Sequence, residues 1–427
     1  MKYIYLAITT TLISMLIYIL YRLSVVYNFE KNEHYFNYIL IIFPSIVFFL
    51  TYFFLTPKNK IYFNIIFFST TIALLTFETK VFIAKKKYNK IMTSEEKPII
   101  EIYKKINNPN LHLNFFPSSY IYSNKFNDLF ILGGLSNREV LTCYENNQFQ
   151  IIKTDRYGFN NNDNEWDKKN IKYFFVGDSY AAGHCVENNH NIVGNFYKIE
   201  KLDNQTGIIN AAKGGVGPLI SLSTIREYMP YNVENLIYVY DEDNDLSDIM
   251  NELNNLHLDK YLKDNNFKQN LAKKQNLINE KILDEQKNIL LNYKKKIINK
   301  NNYLDIIKFR NTKIAIINNL INYNKNIITL EKVLGKIKIE AERKKVKNIY
   351  VVYLPAYSRY KNNDNKKYKQ YSTVVELIKK NNMKIIDLRD FFLKYNNDPK
   401  QLWMSEFGHL TKYGFEVISS EIHRQIY

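Results

Sequence analysis

Three apolar runs without a single Asp, Glu, Lys or Arg fill most of the N-terminal region: residues 3–21, 35–56 and 61–77. A helix crosses a hydrocarbon core of about 30 Å with roughly 20 residues, at about 1.5 Å per residue. The spacing therefore predicts two or three spanning helices, with three preferred, and a transmembrane segment over residues 1–84. The first run is too long for the apolar region of a cleaved signal, and no small-x-small site follows it. With three spans, Lys2, Lys58 and Lys60 fall on one side, which the positive-inside rule makes cytoplasmic. Everything after residue 84 would then lie outside the cell membrane. Lys85, Lys86 and Lys87 vote the other way.

The chain carries 59 Lys and Arg against 42 Asp and Glu, a net charge of +17. Such a balance raises nucleic acid as a partner. The lysines, however, are scattered through helical stretches, and neither zinc-ligand spacing nor a stacked-aromatic RNA signature accompanies them. A solvated basic surface is the expectation, with the lipid bilayer as partner and no nucleic acid. Cys143 and Cys185 are too few for a disulfide scaffold and match no metal-site spacing. One bridge in an oxidising compartment and two buried thiols are both compatible with the count.

After the apolar runs the pattern changes. Residues 171–176 (IKYFFV), 207–210, 235–241, 348–355 and 383–388 are strand-length runs rich in β-branched and aromatic residues. Most lack polar alternation, as strands buried on both faces do. Helical stretches at 192–202, 219–228, 330–344 and 372–380 separate them. Strand–helix alternation predicts an α/β three-layer sandwich around a mainly parallel, five-stranded sheet. Its ligand site belongs beyond the carboxyl ends of the strands. The domain is expected over 168–427, after a juxtamembrane lead-in over 85–167. A Lys-, Asn- and Leu-rich block at about 248–326, without Pro or Gly, reads as a helical insertion. A solvated helical hairpin is the simplest form for it; a lid or an oligomer contact is the alternative.

Four groups of residues sit where that sheet would hold its chemistry. The first strand runs into Gly177-Asp178-Ser179-Tyr180, a tight turn that exposes the Ser179 hydroxyl and turns its N–H outward, toward a developing oxyanion. The second ends in Asn210-Ala211-Ala212-Lys213-Gly214-Gly215, where backbone N–H groups can approach a ligand. The third ends in Asp241-Glu242-Asp243-Asn244, where an amide side chain could donate to the same oxyanion. Near the C-terminus, Glu406-Phe407-Gly408-His409 puts a histidine in a loop before the last helix, placed to act as a general base.

These blocks, in this order, resemble the SGNH/GDSL hydrolase superfamily. The segment TDRYGFNNNDNEWD (154–167), GGVGP and LPAYSRY (354–360) are similar to an uncharacterised bacterial, membrane-anchored branch of it, over roughly residues 110–425. The resemblance implies Ser179 as nucleophile and His409 as base. It implies an oxyanion hole from the N–H groups of Ser179 and Gly215 and the amide of Asn244. It implies no metal and no organic cofactor. The stretches holding Cys143 and Cys185 are also similar to that branch, which implies a disulfide and an external, periplasmic domain.

Two positions depart from the family pattern. Glu406 stands where the family usually has the Asp that fixes the imidazole tautomer; either Glu406 orients His409 or a backbone carbonyl does, leaving a Ser–His dyad. Asp243 stands where Gly is common, and would oppose a developing negative charge unless it points away or pairs with Lys213. The expected activity is that of a membrane-anchored serine esterase or O-acyltransferase on an acylated small molecule or envelope glycan. The alternative is a membrane-tethered binding or assembly protein that keeps the fold without turnover.

Overall fold

The computed structural model describes residues 2–26, 32–121, 126, 128–145, 148–296, 309, 312, 323–361, 370–394, 399–405 and 408–427. They form two compact units, one of residues 1–84 with 303–313, the other of residues 85–302 with 314–427.

In the first unit, helices span Lys2–Tyr21 and Asn32–Phe54, and a third begins at Pro57. Proline suits that first position, where no intrahelical N–H bond is lost. Two helical stretches, Lys2–Val25 and Pro57–Ile83, are long and apolar enough to cross a membrane, while the helix between them has a shorter apolar run, Ile42–Phe54. Only 11% and 6% of the residues in the two long stretches are buried against protein. A core helix of a water-soluble protein would be covered; these keep their Ile, Leu and Phe side chains outward. Where the three helices touch, Tyr5, Tyr52 and Phe63 form a buried aromatic cluster, and the Tyr5 hydroxyl donates to Asn64 Oδ1 at 2.7 Å.

The described residues of the second unit form two sheets. Strands β1 (Leu111–Leu113), β2 (Glu139–Glu145) and β3 (Gln148–Lys153) make a small mixed sheet in that order, β1 parallel to β2 and β2 antiparallel to β3. Strands β4 (Asn170–Gly177), β5 (Thr206–Asn210), β6 (Asn235–Asp241), β7 (Asn348–Leu354) and β8 (Lys384–Asp387) make the main sheet. Every pairing in it is parallel, in the order β5-β4-β6-β7-β8. These are the five strands expected from the sequence. The small sheet is not.

Side-chain alternation divides the interior into two cores. Phe174, Val176, Tyr238 and Tyr353 enter one core with the helices Pro218–Tyr228, Tyr323–Arg343 and Tyr371–Lys380. Tyr173, Phe175, Ile237 and Val352 enter the other with Ile192–Glu200 and Lys412–Ile426. This is the three-layer α/β sandwich.

The insertion is helical over its described part, with helices Leu256–Lys263 and Gln275–Lys296. It is not simply solvated. Tyr261, Leu271, Ile278 and Ile282 are buried in the same core as Phe115, Phe130 and Leu132 of the lead-in. Polar contacts fix the register: Gln269 Oε1 accepts from Phe130 N at 2.8 Å and Gln286 Oε1 from Leu113 N at 3.2 Å. The insertion therefore forms a wall on the lead-in segment and small sheet. Its remaining residues, 297–308, 310–311 and 313–322, lie outside the described ones.

Candidate active site

The turn after β4 is set by sterics. Gly177 has φ +144°, and a Cβ there would lie 2.7 Å from Val239 O on the neighbouring β6, so the strand can turn here only with glycine. Asp178 follows, fully buried, its Oδ1 accepting from Tyr180 N at 2.9 Å. That cap starts a four-residue helix, Ser179–Ala182. Ser179 thus sits half-buried at the carboxyl end of the central strand.

Neighbouring polar groups brace this short helix. Asn160 Nδ2 donates to Ala182 O at 3.1 Å, and Asn210 Nδ2 to Ala181 O at 2.9 Å. Asn161 in turn exchanges two hydrogen bonds with the backbone of Asn210, at 2.7 and 2.8 Å. The segment 154–167 is held to itself by Asp155, which is fully buried and accepts from Tyr157 N, Phe159 N, Asn161 Nδ2 and Trp166 Nε1. The lead-in motif is thereby a brace for both the serine turn and the end of β5.

Gly215 has φ +70° and lies beside Ser118, in a loop pinned by Lys213 N donating to Gly177 O at 3.2 Å. Lys213 itself is buried, its Nζ donating to Asn114 Oδ1 at 3.1 Å and Gly158 O at 3.2 Å. It does not pair with Asp243, which is exposed, with its own N–H on Asp241 Oδ1. Burial holds the Lys213 ammonium down to about 8, against a pull upward from Asp155. Asn244, at the N-terminus of helix Asp245–Glu252, donates from Nδ2 to Asp178 Oδ2 at 3.4 Å. Burial drives Asp178 up, and the Tyr180 N–H, His409 and Asn244 draw it back.

His409 comes to the same place from the other end of the chain. Its ring lies 5.5 Å from that of Tyr180, the residue after Ser179, and 4.9 Å from that of His184. Tyr180 also donates its hydroxyl to Gly408 O at 3.2 Å. His184 is kept neutral, at about 3, first by burial and then by His409 and Lys213. Ser179, Gly215, Asn244 and His409 are thus gathered at one end of the sheet. Among the described residues, no hydrogen bond joins the Ser179 hydroxyl to His409. Such contacts are commonly long before substrate binds.

Glu406 lies outside the described residues. The carboxylate found on His409 is Glu145, the last residue of β2. Its Oε2 is 2.8 Å from His409 Nδ1, and its Oε1 accepts the His409 backbone N–H at 3.0 Å. Gly408 is what lets it in: a Cβ at that position would fall 1.7 Å from Glu145 Oε1. Only the tertiary structure joins residues 264 positions apart. The sequence signal was faint, an acidic residue ending a strand two positions after a cysteine. That cysteine, Cys143, is disulfide-bonded to Cys185. Ligand-type atoms of Glu145, Cys185 and His409 lie within 4.8 Å of one another. With the sulfur committed to a disulfide and the carboxylate to an imidazole N–H, this trio does not suit a metal ion.

No family model matches the chain, and no curated protein matches it. Solved structures do. A lipolytic protein of the G-D-S-L family from Veillonella parvula is 10% identical, with 60% of this chain and 97% of that one covered and a TM-score of 0.32. A lipase/acylhydrolase from Enterococcus faecalis is 12% identical, with 60% and 95% covered and a TM-score of 0.32. A psychrotrophic esterase from Pseudoalteromonas is 11% identical, with 60% and 97% covered and a TM-score of 0.32.

Proposed function

We propose that the protein is a membrane-anchored serine hydrolase or O-acyltransferase acting on esters. One observation carries this: His409, brought beside the Ser179 turn, has its Nδ1 on a carboxylate, which leaves Nε2 to take a proton. In this mechanism the Ser179 hydroxyl loses its proton to His409 Nε2 and attacks the ester carbonyl. The oxyanion is held by the N–H groups of Ser179 and Gly215 and by the second amide hydrogen of Asn244, the first being on Asp178. His409 then protonates the leaving alcohol. The acyl-enzyme passes its acyl group to water, as an esterase, or to a sugar hydroxyl, as a transferase.

The two long apolar helices support a membrane anchor, and a buried disulfide suits an extracytoplasmic domain. Together they favour an envelope glycan or lipid ester as substrate. The exposed Asp243 removes one objection to catalysis, since its charge can be solvated away from the oxyanion.

The test is labelling of the full-length protein with a fluorophosphonate probe, beside Ser179→Ala and His409→Ala. Labelling in the wild type that disappears in both variants is the expected result. A folded wild type that does not label points instead to a binding protein with this fold, and glycan binding becomes the assay.

A further inference from the structure

We infer that the Cys143–Cys185 disulfide positions Glu145 on His409, so that the site works only while this bond is oxidised; the inference rests on the serine-hydrolase reading above. Cys143 and Glu145 are two apart on β2 and therefore project from the same face of the strand. Cys185 follows His184 at the end of the turn that starts with Ser179. One covalent bond thus ties the strand carrying the carboxylate to the segment carrying the nucleophile, with sulfur, carboxylate and imidazole atoms within 4.8 Å of one another.

β2 belongs to the small sheet, and among the described residues no ladder joins that sheet to the five-stranded one that carries Ser179. Beside the bond, the His184 side chain hydrogen-bonds the Thr142 backbone, and a second noncovalent link is Gln150, the cross-strand partner of Cys143 on β3. It accepts from Cys185 N at 3.1 Å and donates to Val186 O. Cys185 also has φ +64°, a backbone state that side-chain-bearing residues rarely adopt and that the crosslink helps to hold. Cutting the bond frees both the strand face and this turn, and Glu145 loses its fixed distance to His409.

The switching chemistry needs a dithiol reductant. One of its thiolates attacks a sulfur of the pair, forming a mixed disulfide and releasing the other cysteine as a thiolate. The second dithiol sulfur then displaces the first cysteine. Two electrons pass to the cysteines, which take up two protons, and the reductant leaves as a cyclic disulfide.

The experiment uses the full-length protein in detergent. Fluorophosphonate labelling rates are measured from pH 5 to 9 for the wild type, oxidised or treated with dithiothreitol and alkylated, and for Cys143→Ser/Cys185→Ser and Glu145→Gln. Tryptophan fluorescence checks that each form is folded. Reduction and the double serine variant should each slow labelling by up to about 100-fold, the cost of misplacing a catalytic group by about 1 Å. Glu145→Gln should slow it at least as much, and reduction should add nothing in that background, because both changes remove one function. Folded, reduced protein labelling at the oxidised rate would overturn the inference, as would independent, multiplying effects of reduction and Glu145→Gln. If no form labels, the hydrolase reading fails by itself. The positioning claim is then read from the chemical shifts of the His409 imidazole protons, which should change in the same direction on reduction and in Glu145→Gln; shifts unmoved by either refute it.

Discussion

Replacing Lys213 by Met gives a stability effect whose size and pH dependence both follow from the site. Lys213 is 6% exposed, and among the described residues its ammonium is hydrogen-bonded to the neutral oxygens of Asn114 and Gly158. Burial lowers its proton affinity from the ordinary 10.5 to about 8. At about 1.4 kcal/mol for each tenfold change, the folded state gives up about 3 kcal/mol by holding the group charged. The unfolded chain binds this proton more tightly, so the cost is fully present below about pH 8. It fades as pH rises toward 10.5, where both states are neutral. Methionine has no such dependence, but it leaves Asn114 Oδ1 and Gly158 O without their donor, at about 1–3 kcal/mol each. Lys213→Met should therefore stand close to the wild type at pH 7 and fall behind it by about 2–3 kcal/mol at pH 10. Urea denaturation followed by fluorescence is the assay, since both tryptophans, Trp166 and Trp403, lie in the second unit. A gap that stays constant between pH 7 and pH 10 would refute the argument.

Two further substitutions probe the frame around the site. Gly408→Ala would put a methyl group 1.7 Å from Glu145 Oε1 and 2.5 Å from Ser405 Oγ. It should cut the fluorophosphonate labelling rate at least about tenfold by driving the carboxylate off His409. Arg359→Leu would strand the buried Glu242, which accepts from Arg359 Nε at 2.9 Å as well as from Tyr353 and Ala356. Losing one partner of a buried pair costs about 3–5 kcal/mol, visible as a lower urea midpoint. Adding Glu242→Gln to that variant should recover part of the loss, and no recovery would refute the argument from the pair.

The sequence by itself determined the apolar helices, the five parallel strands and the loops at their carboxyl ends. Those features are local: an uncharged run is long enough to cross a bilayer or it is not, and IKYFFV running into Gly-Asp-Ser is a buried strand with a turn at its end. The small sheet is not legible in the sequence because β1 has three residues and β3 keeps Phe149 and Ile151 on its exposed side, which blurs any alternation of apolar and polar positions. The insertion read as solvated because Ile278 and Ile282 have meaning only against the lead-in they cover.

The carboxylate on His409 lay further still from what a linear reading reaches. Glu406 was the neighbour in sequence, but Glu145 arrives through a hairpin stapled by Cys143 and admitted by the bare Cα of Gly408. A hydrogen bond to an imidazole depends on where two atoms lie within a few tenths of an ångström. Propensity and periodicity specify strands and faces, and the packing of one sheet against the end of another decides which side chains meet.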